Sequence, residues 1–188
     1  MDHAQLARLD PLNKKKQEWC VVIETPKGSH NKYAFNHKIG AFELSGVLPE
    51  GMSFPYDFGF LPSTVGDDGD PLDVLLLMDQ PAFPGCIVAS RLIGVIEAEQ
   101  TEKDGETEKN DRLLAIPCEA RNFVETRSVK DLEKNLLEEI KEFFVSYNHV
   151  RGKRFEVVGL RGRKRAERLA RRGIAAFRKQ KKGKKNGQ

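Results

Sequence analysis

Residues Gly66–Asp73, Gly-Asp-Asp-Gly-Asp-Pro-Leu-Asp, set Asp67, Asp68, Asp70 and Asp73 within seven positions and run straight into the apolar stretch Val-Leu-Leu-Leu-Met. Any fold of this chain must satisfy both halves at once: the apolar run belongs in a core, and the carboxylates repel one another. Asp and Gly suit turns, which accounts for Asp67 and Asp68. Pro71 holds Asp70 extended. Asp73 lies one step inside an apolar strand, where an unpaired carboxylate is expensive to bury. A turn alone leaves Asp73 unexplained; something cationic between the acids explains all four.

Several ways of supplying that cation fail on spacing. Counting an EF-hand loop from Asp68 puts Leu72 at the fifth position and Asp73 where the turn glycine belongs. Asp57-Phe58-Gly59 matches a kinase triplet, but the Gly-rich and His-Arg-Asp loops of a kinase are missing. There is no His-Glu-x-x-His, Walker loop or nucleophile elbow, and the four histidines are isolated. A cluster of hard divalent cations remains. Mg²⁺ prefers carboxylate oxygens and water and commonly bridges to phosphate. Asp68, Asp70 and Asp73, with acids from another strand, suit two such ions. A water shared by two metals is acidified while phosphate oxygens lose charge to the same ions, and a carboxylate hydrogen-bonded to that water is the general base.

The rest of the chain reads as short strands followed by helices. Trp19–Thr25, Asn31–Phe35, the run from Ala41, "PLDVLLLM", "GCIVASRLIGVIEAE" (a long strand or a bent pair), "RLLAIPCE" and "RFEVVGL" give seven or eight strands. Leu132, Leu136, Ile140, Phe143, Phe144 and Tyr147 recur at helical intervals and place a helix over 130–148, with Ser128 and Asp131 as its N-terminal signal. A second helix is expected over about 164–179, weakened by Gly173. This order predicts an α+β fold: a small closed OB-like β-barrel with helices packed outside. Residues 1–18 read as a polar arm, 19–160 as the barrel domain, and 161–188 as a basic helix followed by a disordered Lys/Gly tail. At 188 residues this is one domain with a real core. With no apolar run near the ~18 residues of a membrane span and no apolar signal core, it is expected to be cytoplasmic. Cys20, Cys86 and Cys118 lack Cys-x-x-Cys spacing and read as reduced thiols.

The ordered set of motifs resembles the soluble family I inorganic pyrophosphatases. "DGDPLDV" at 68–74 is similar to that family's signature, and the likeness extends over about 19–160. It includes "VVIETP", "NKY", "FPYDFGFLPST", "FPGCIVASRLIGVI", "RLLAIP", "FFVSY" and "GKRFEVVGL" in order. The resemblance implies hydrolysis of pyrophosphate with several Mg²⁺ ions per site, and a homo-oligomer, a hexamer if bacterial. It implies metal ligation by Asp68, Asp70, Asp73 and Glu24, with Asp70 as the base. Lys32, Arg112 (where the family has lysine) and Tyr147 would hold phosphate oxygens. Two further aspartates are expected from the loop 97–111. Counting forward to them gives Gln100 and counting back gives Asn110; shifted alignments offer Glu99, Asp104, Glu108 or Asp111, with Asp104 and Asp111 preferred.

The chain also departs from the family pattern. Ala34 replaces a glutamate, Gly46 a phosphate-binding arginine, Phe54 and Phe58 tyrosines, and Asn148 a lysine. Each charged contact to a transferred phosphoryl group contributes roughly 2–4 kcal/mol, so replacements are expected; Lys153, Arg154 or the basic tail are the candidates. Two rival readings follow, a hydrolase of another phosphoanhydride and a binder of phosphate-rich partners without catalysis. Residues 161–188 carry 13 Lys and Arg against Glu167 alone, while the remaining 160 residues hold 19 basic against 27 acidic residues. That tail is read either as a nucleic-acid or polyphosphate contact or as a solvated helix face docked on the acidic body.

Overall fold

The computed structural model describes residues 3–185. Among these residues are ten strands and two α-helices, nine strands preceding the first helix and the tenth lying between the two helices. Five strands carry the frame: β2 (Glu18–Thr25), β5 (Asp57–Phe60), β6 (Asp73–Leu76), β9 (Arg112–Pro117) and β7 (Ile87–Thr101). β2 pairs with both β5 and β7, β5 pairs with β6, β6 runs parallel to β9, and β9 pairs with β7, so the five close on one another in a ring. β1 (Leu12–Asn13), β8 (Thr107–Lys109) and β10 (Arg154–Gly162) extend the sheet, and β3 (Asn31–Asn36) and β4 (Ala41–Val47) form a separate hairpin. The long strand β7 pairs with four neighbours, β2, β8, β9 and β10, and its register against β9 shifts between Leu92 and Gly94, which explains why its sequence read equally as one strand or two.

Side chains alternate along a strand, and the core follows from this. Val74 and Leu76 of β6, with Leu113 and Ala115 of β9, join one apolar cluster that α2 (Arg163–Lys185) covers with Ala166, Leu169 and Ala170. The intervening Leu75, Leu114 and Ile116 join a second cluster, covered by Leu137, Ile140, Phe144 and Tyr147 of α1 (Lys134–Val150). Both faces of β6 and β9 are therefore buried, as their unbroken apolar runs require. The architecture is α+β.

Four boundaries differ from the sequence reading. Strands number ten rather than seven or eight, because two- and three-residue pairs such as β1 leave no periodic signal. The N-terminal arm is not merely polar: Leu6 and Leu12 are buried, and Leu12 pairs with Trp19. The first helix begins at Lys134, not 130. Ser128 and Asp131 do form a reciprocal capping box, but around a single 3₁₀ turn, Val129–Asp131; Leu132 and Glu133 are then extended before α1 starts. Burial of Val129 and Leu132 within the core explains the break. Finally, α2 continues through Lys185, beyond the expected disorder at Gln180; residues 186–188 lie outside the described residues. Among the described residues, no helix is long and apolar enough to cross a membrane.

Candidate active site

The acidic turn sits between β5 and β6. The Gly66 amide donates to the Asp70 carbonyl (2.7 Å), and Gly69, at φ +87°, takes the left-handed conformation the turn needs. The Asp70 amide donates to Asp68 Oδ1 (3.0 Å), which fixes both carboxylates relative to the start of β6. Asp68, Asp70 and Asp73 then face a cleft of about 330 Å³ together with Glu24 of β2, Lys32 of β3, Arg112 of β9 and Tyr147 of α1. Six elements thus bring seven of the expected residues to one cavity.

The acids are under electrostatic pressure. Burial pushes Glu24 up to about 7, its bond from the Phe35 amide (2.7 Å) notwithstanding, and the nearby Asp73 and Asp70 charges add to the rise. Burial likewise raises Asp68 to about 6, reinforced by Asp73 and Asp70 and opposed by its bond from Asp70 N–H and by Arg112. Hard oxygen donors that resist ionising in one another's company are a set short of positive charge. That chemistry fits a hard divalent cation. Among the described residues no three acids converge closely enough to hold one ion in this geometry; Asp73 pairs with Arg112, at 2.6 Å.

Arg112 is the hub of the site. Its guanidinium bonds Asp73 and donates to the Asn110 side-chain oxygen Oδ1. Asn110 in turn donates to Gln100 (2.9 Å), Gln100 to Glu102 (2.6 Å), and Lys153 also reaches Glu102 (2.7 Å). The guanidinium carbon lies 5.7–5.9 Å from the rings of Phe58, Phe144 and Phe155. An arginine's flat, weakly hydrated group suits such a cage better than a strongly hydrated ammonium. Arg112 Nε is buried with no hydrogen-bond partner, so the cage leaves one donor unsatisfied.

The loop 97–111 brings some of its residues to the cleft and leaves others outside it. It forms a hairpin in which Gln100 pairs with Glu108 and the turn closes at Glu102–Gly105. Gln100, Glu102, Glu108 and Asn110 face the cleft. Asp104 sits exposed at the hairpin tip, accepting from Glu106 N–H (3.2 Å). Asp111 accepts from Ala98 N–H (3.1 Å) and lines a smaller, adjoining groove with Asp67, Asp68, Asp73, Lys109 and Arg112. Neither of these two lines the cleft. Glu102 and Arg151 also line the cleft and are not among the residues the sequence singles out, whereas Glu108 is one of the shifted alternatives; alternation counted outward from the turn at Gly105 picks out both glutamates. Of the candidate replacement cations, Lys153 lines the cleft, whereas Arg154 is exposed and paired with Glu156.

The comparisons with known proteins agree with one another. The family model for inorganic pyrophosphatase matches residues 21–178. An inorganic pyrophosphatase of Synechocystis sp. is 42% identical over 139 residues, 74% of this chain and 79% of that protein. One from Geobacillus stearothermophilus is 38% identical over 162 residues, 86% of this chain and 94% of its own. Among solved structures, inorganic pyrophosphatase from Thermus thermophilus superposes with a TM-score of 0.82 at 34% identity, covering 90% of this chain and 97% of that one. That from Neisseria gonorrhoeae gives 0.83 at 28%, covering 93% and 99%.

Proposed function

The chain belongs to the inorganic pyrophosphatases, hydrolases that split pyrophosphate into two orthophosphates, and from that premise we propose which of its residues do the work. The observation that carries the assignment is the meeting of Asp68, Asp70 and Asp73 with Lys32, Arg112 and Tyr147 in a single cleft. Similarity to proteins named inorganic pyrophosphatase disfavours both another phosphoanhydride as substrate and a purely binding role.

Asp68, Asp70, Asp73 and Glu24 are the residues that would hold Mg²⁺, several ions per site; when bound, such cations neutralise phosphoryl charge and acidify a coordinated water. Asp70 accepts the proton of the attacking water, its backbone being fixed by the turn at Gly69 and by the bond from its amide to Asp68. Lys32 and Tyr147 bind phosphate oxygens. Arg112 presents a guanidinium already oriented by Asp73 and Asn110, so little ordering remains when substrate arrives. The phenylalanine cage keeps water from that side of the reacting centre. Asp104 and Asp111 are not carried forward as ligands, since Glu102 and Glu108 hold the cleft-facing positions of that hairpin.

The finer expectations are proposals of the same kind. We read the five-strand ring as the small OB-like barrel. Exposed Ile39, Leu44 and Val47 on the β3–β4 hairpin support a homo-oligomer, to be checked by light scattering. Several cations of α2 face the body's own acids, Arg165 towards Glu97 and Arg172 towards Asp67, which favours a docked helix over a nucleic-acid or polyphosphate contact.

The deciding experiment is phosphate release from pyrophosphate with and without Mg²⁺, for the intact chain and for Asp70→Asn. Metal-dependent turnover that drops roughly 10²–10⁴-fold in the variant is expected. Equal turnover in the two proteins would remove Asp70 from its role, and no turnover in the intact, folded chain would remove the function.

A further inference from the structure

Arg151, in the turn between α1 and β10, has an environment that a solvated surface arginine does not need. Its Nη1 donates to the Tyr147 hydroxyl (2.5 Å), and its guanidinium carbon lies 5.2 Å from the Tyr147 ring centroid. Lys32 Nζ approaches the same ring, at 5.7 Å. Among the described residues, neither cation has a carboxylate within ion-pair distance; Glu24 and Glu102 act on them only at longer range. The other two cations of the cleft are committed, Arg112 to Asp73 and Lys153 to Glu102. Two like charges gathered around one tyrosine, with no anion between them, mark a place for one.

The opposite strand is shaped to allow this. Gly46 is the cross-strand partner of Lys32 on the β3–β4 hairpin, next to a register shift. A Cβ built at Gly46 would lie 3.3 Å from Arg151 Nη1, closer than ordinary van der Waals contact. The absence of a side chain at position 46 is what gives the guanidinium its room.

We propose that Arg151 is a substrate-binding residue, closing with Lys32 and Tyr147 on the oxygens of one phosphate of pyrophosphate at the cleft mouth, and that Gly46 keeps the space it occupies. This rests on the pyrophosphatase reading of the cleft. An arginine fork offers two parallel donors to a phosphate, so the contact forms on binding, and its loss shows first in KM.

The test is a double-variant cycle on the full chain with Mg²⁺ and pyrophosphate. Arg151→Gln is expected to raise KM roughly ten- to hundredfold, the strength of a charge-assisted hydrogen bond, with a smaller change in kcat. Arg151→Lys recovers part of the loss. Gly46→Ala raises KM a few-fold while Arg151 is present and leaves it unchanged in the Arg151→Gln background. Unfolding temperatures within a degree or two of the parent protein show that folding is not the cause. Turnover with unchanged KM in Arg151→Gln, or an equal effect of Gly46→Ala in both backgrounds, overturns the inference while leaving the function intact. Should the intact chain fail to hydrolyse pyrophosphate, the function itself fails. Calorimetry with inorganic phosphate then decides the Arg151 question: weaker binding in Arg151→Gln supports it, and equal binding overturns it.

Discussion

Of the carboxylates in the cleft, Glu24 and Asp68 hold their protons well above the ordinary range, to about 7 and about 6. Both bind a proton more tightly in the folded chain than in the unfolded one, whose values are 4.5 and 3.8. The stability they contribute is thus full below about pH 4 and is lost as pH rises through their folded values. In chelator, the unfolding temperature is expected to fall between pH 5 and pH 8, and to fall less in Glu24→Gln. A slope identical in the two proteins would show that Glu24 is not the group responsible. Mg²⁺ acts in the opposite sense, since it binds the ionised forms, so the stabilisation it gives should be larger at pH 8 than at pH 5. Burial raises Asp57 above its ordinary value as well, but its role is different. It is fully buried, yet its two oxygens accept from the amides of Lys27 (2.6 Å) and Ala82 (3.0 Å). The aspartate of the kinase-like triplet is a structural tie, and nothing in its sequence context distinguishes it from a catalytic acid.

Elements were legible where they were long and periodic. The β3–β4 hairpin, the run into β6 and the apolar stripe of α1 follow from alternation and helical spacing, and the acids of the turn follow from the misfit of Asp73 inside a strand. What the sequence could not carry was contact between distant elements. Asp104 and Asp111 look like better ligands than Gln100 or Asn110, yet the parity of a hairpin, fixed by its turn, decides which side chains reach the cleft. Gly173 is a second case. Within α2 it reads as a weak point, and helix propensity makes Gly173→Ala stabilising by about 1 kcal/mol. In the fold, a Cβ there would meet Leu72 Cδ1 at 2.7 Å and Thr64 Cβ at 3.1 Å, and the Gly173 carbonyl accepts from Val65 N–H (3.1 Å). Thr64 and Leu72 are both buried, so overpacking of about 1–3 kcal/mol outweighs the propensity gain. Gly173→Ala is therefore expected to destabilise in denaturant titrations, and a net stabilisation would show that this contact is slack.

Across the whole molecule, an acidic body is fastened to a basic helix, and charge is the tempting account of why they stay together. From the helix, Arg165 reaches Glu97 at 2.7 Å and Arg172 reaches Asp67 at 2.8 Å, and Arg161, near the end of β10, reaches Glu97 at 3.1 Å. These pairs are partly exposed, though, and surface pairs contribute only ~0–1 kcal/mol each. The other side of α2 places Ala166, Leu169 and Ala170 in the same cluster as Trp19, Val74 and Leu113, where each fully buried leucine contributes about 1.5–3 kcal/mol. Packing holds the helix, and the ion pairs set its angle. Because α2 also packs on Thr64 and Leu72, the two residues flanking the acidic turn, it fixes the segment from which Asp68 and Asp70 project. Leu169→Ala is expected to cost about 2–5 kcal/mol in urea unfolding and to weaken the Mg²⁺ midpoint in the fraction that remains folded. Arg172→Gln should cost less than about 1 kcal/mol, and 1 M NaCl should lower the stability of the parent protein by no more. If Arg172→Gln or salt proved as damaging as Leu169→Ala, the helix would be held by charge, and the acidic turn would owe its position to Asp67 rather than to the core beneath it.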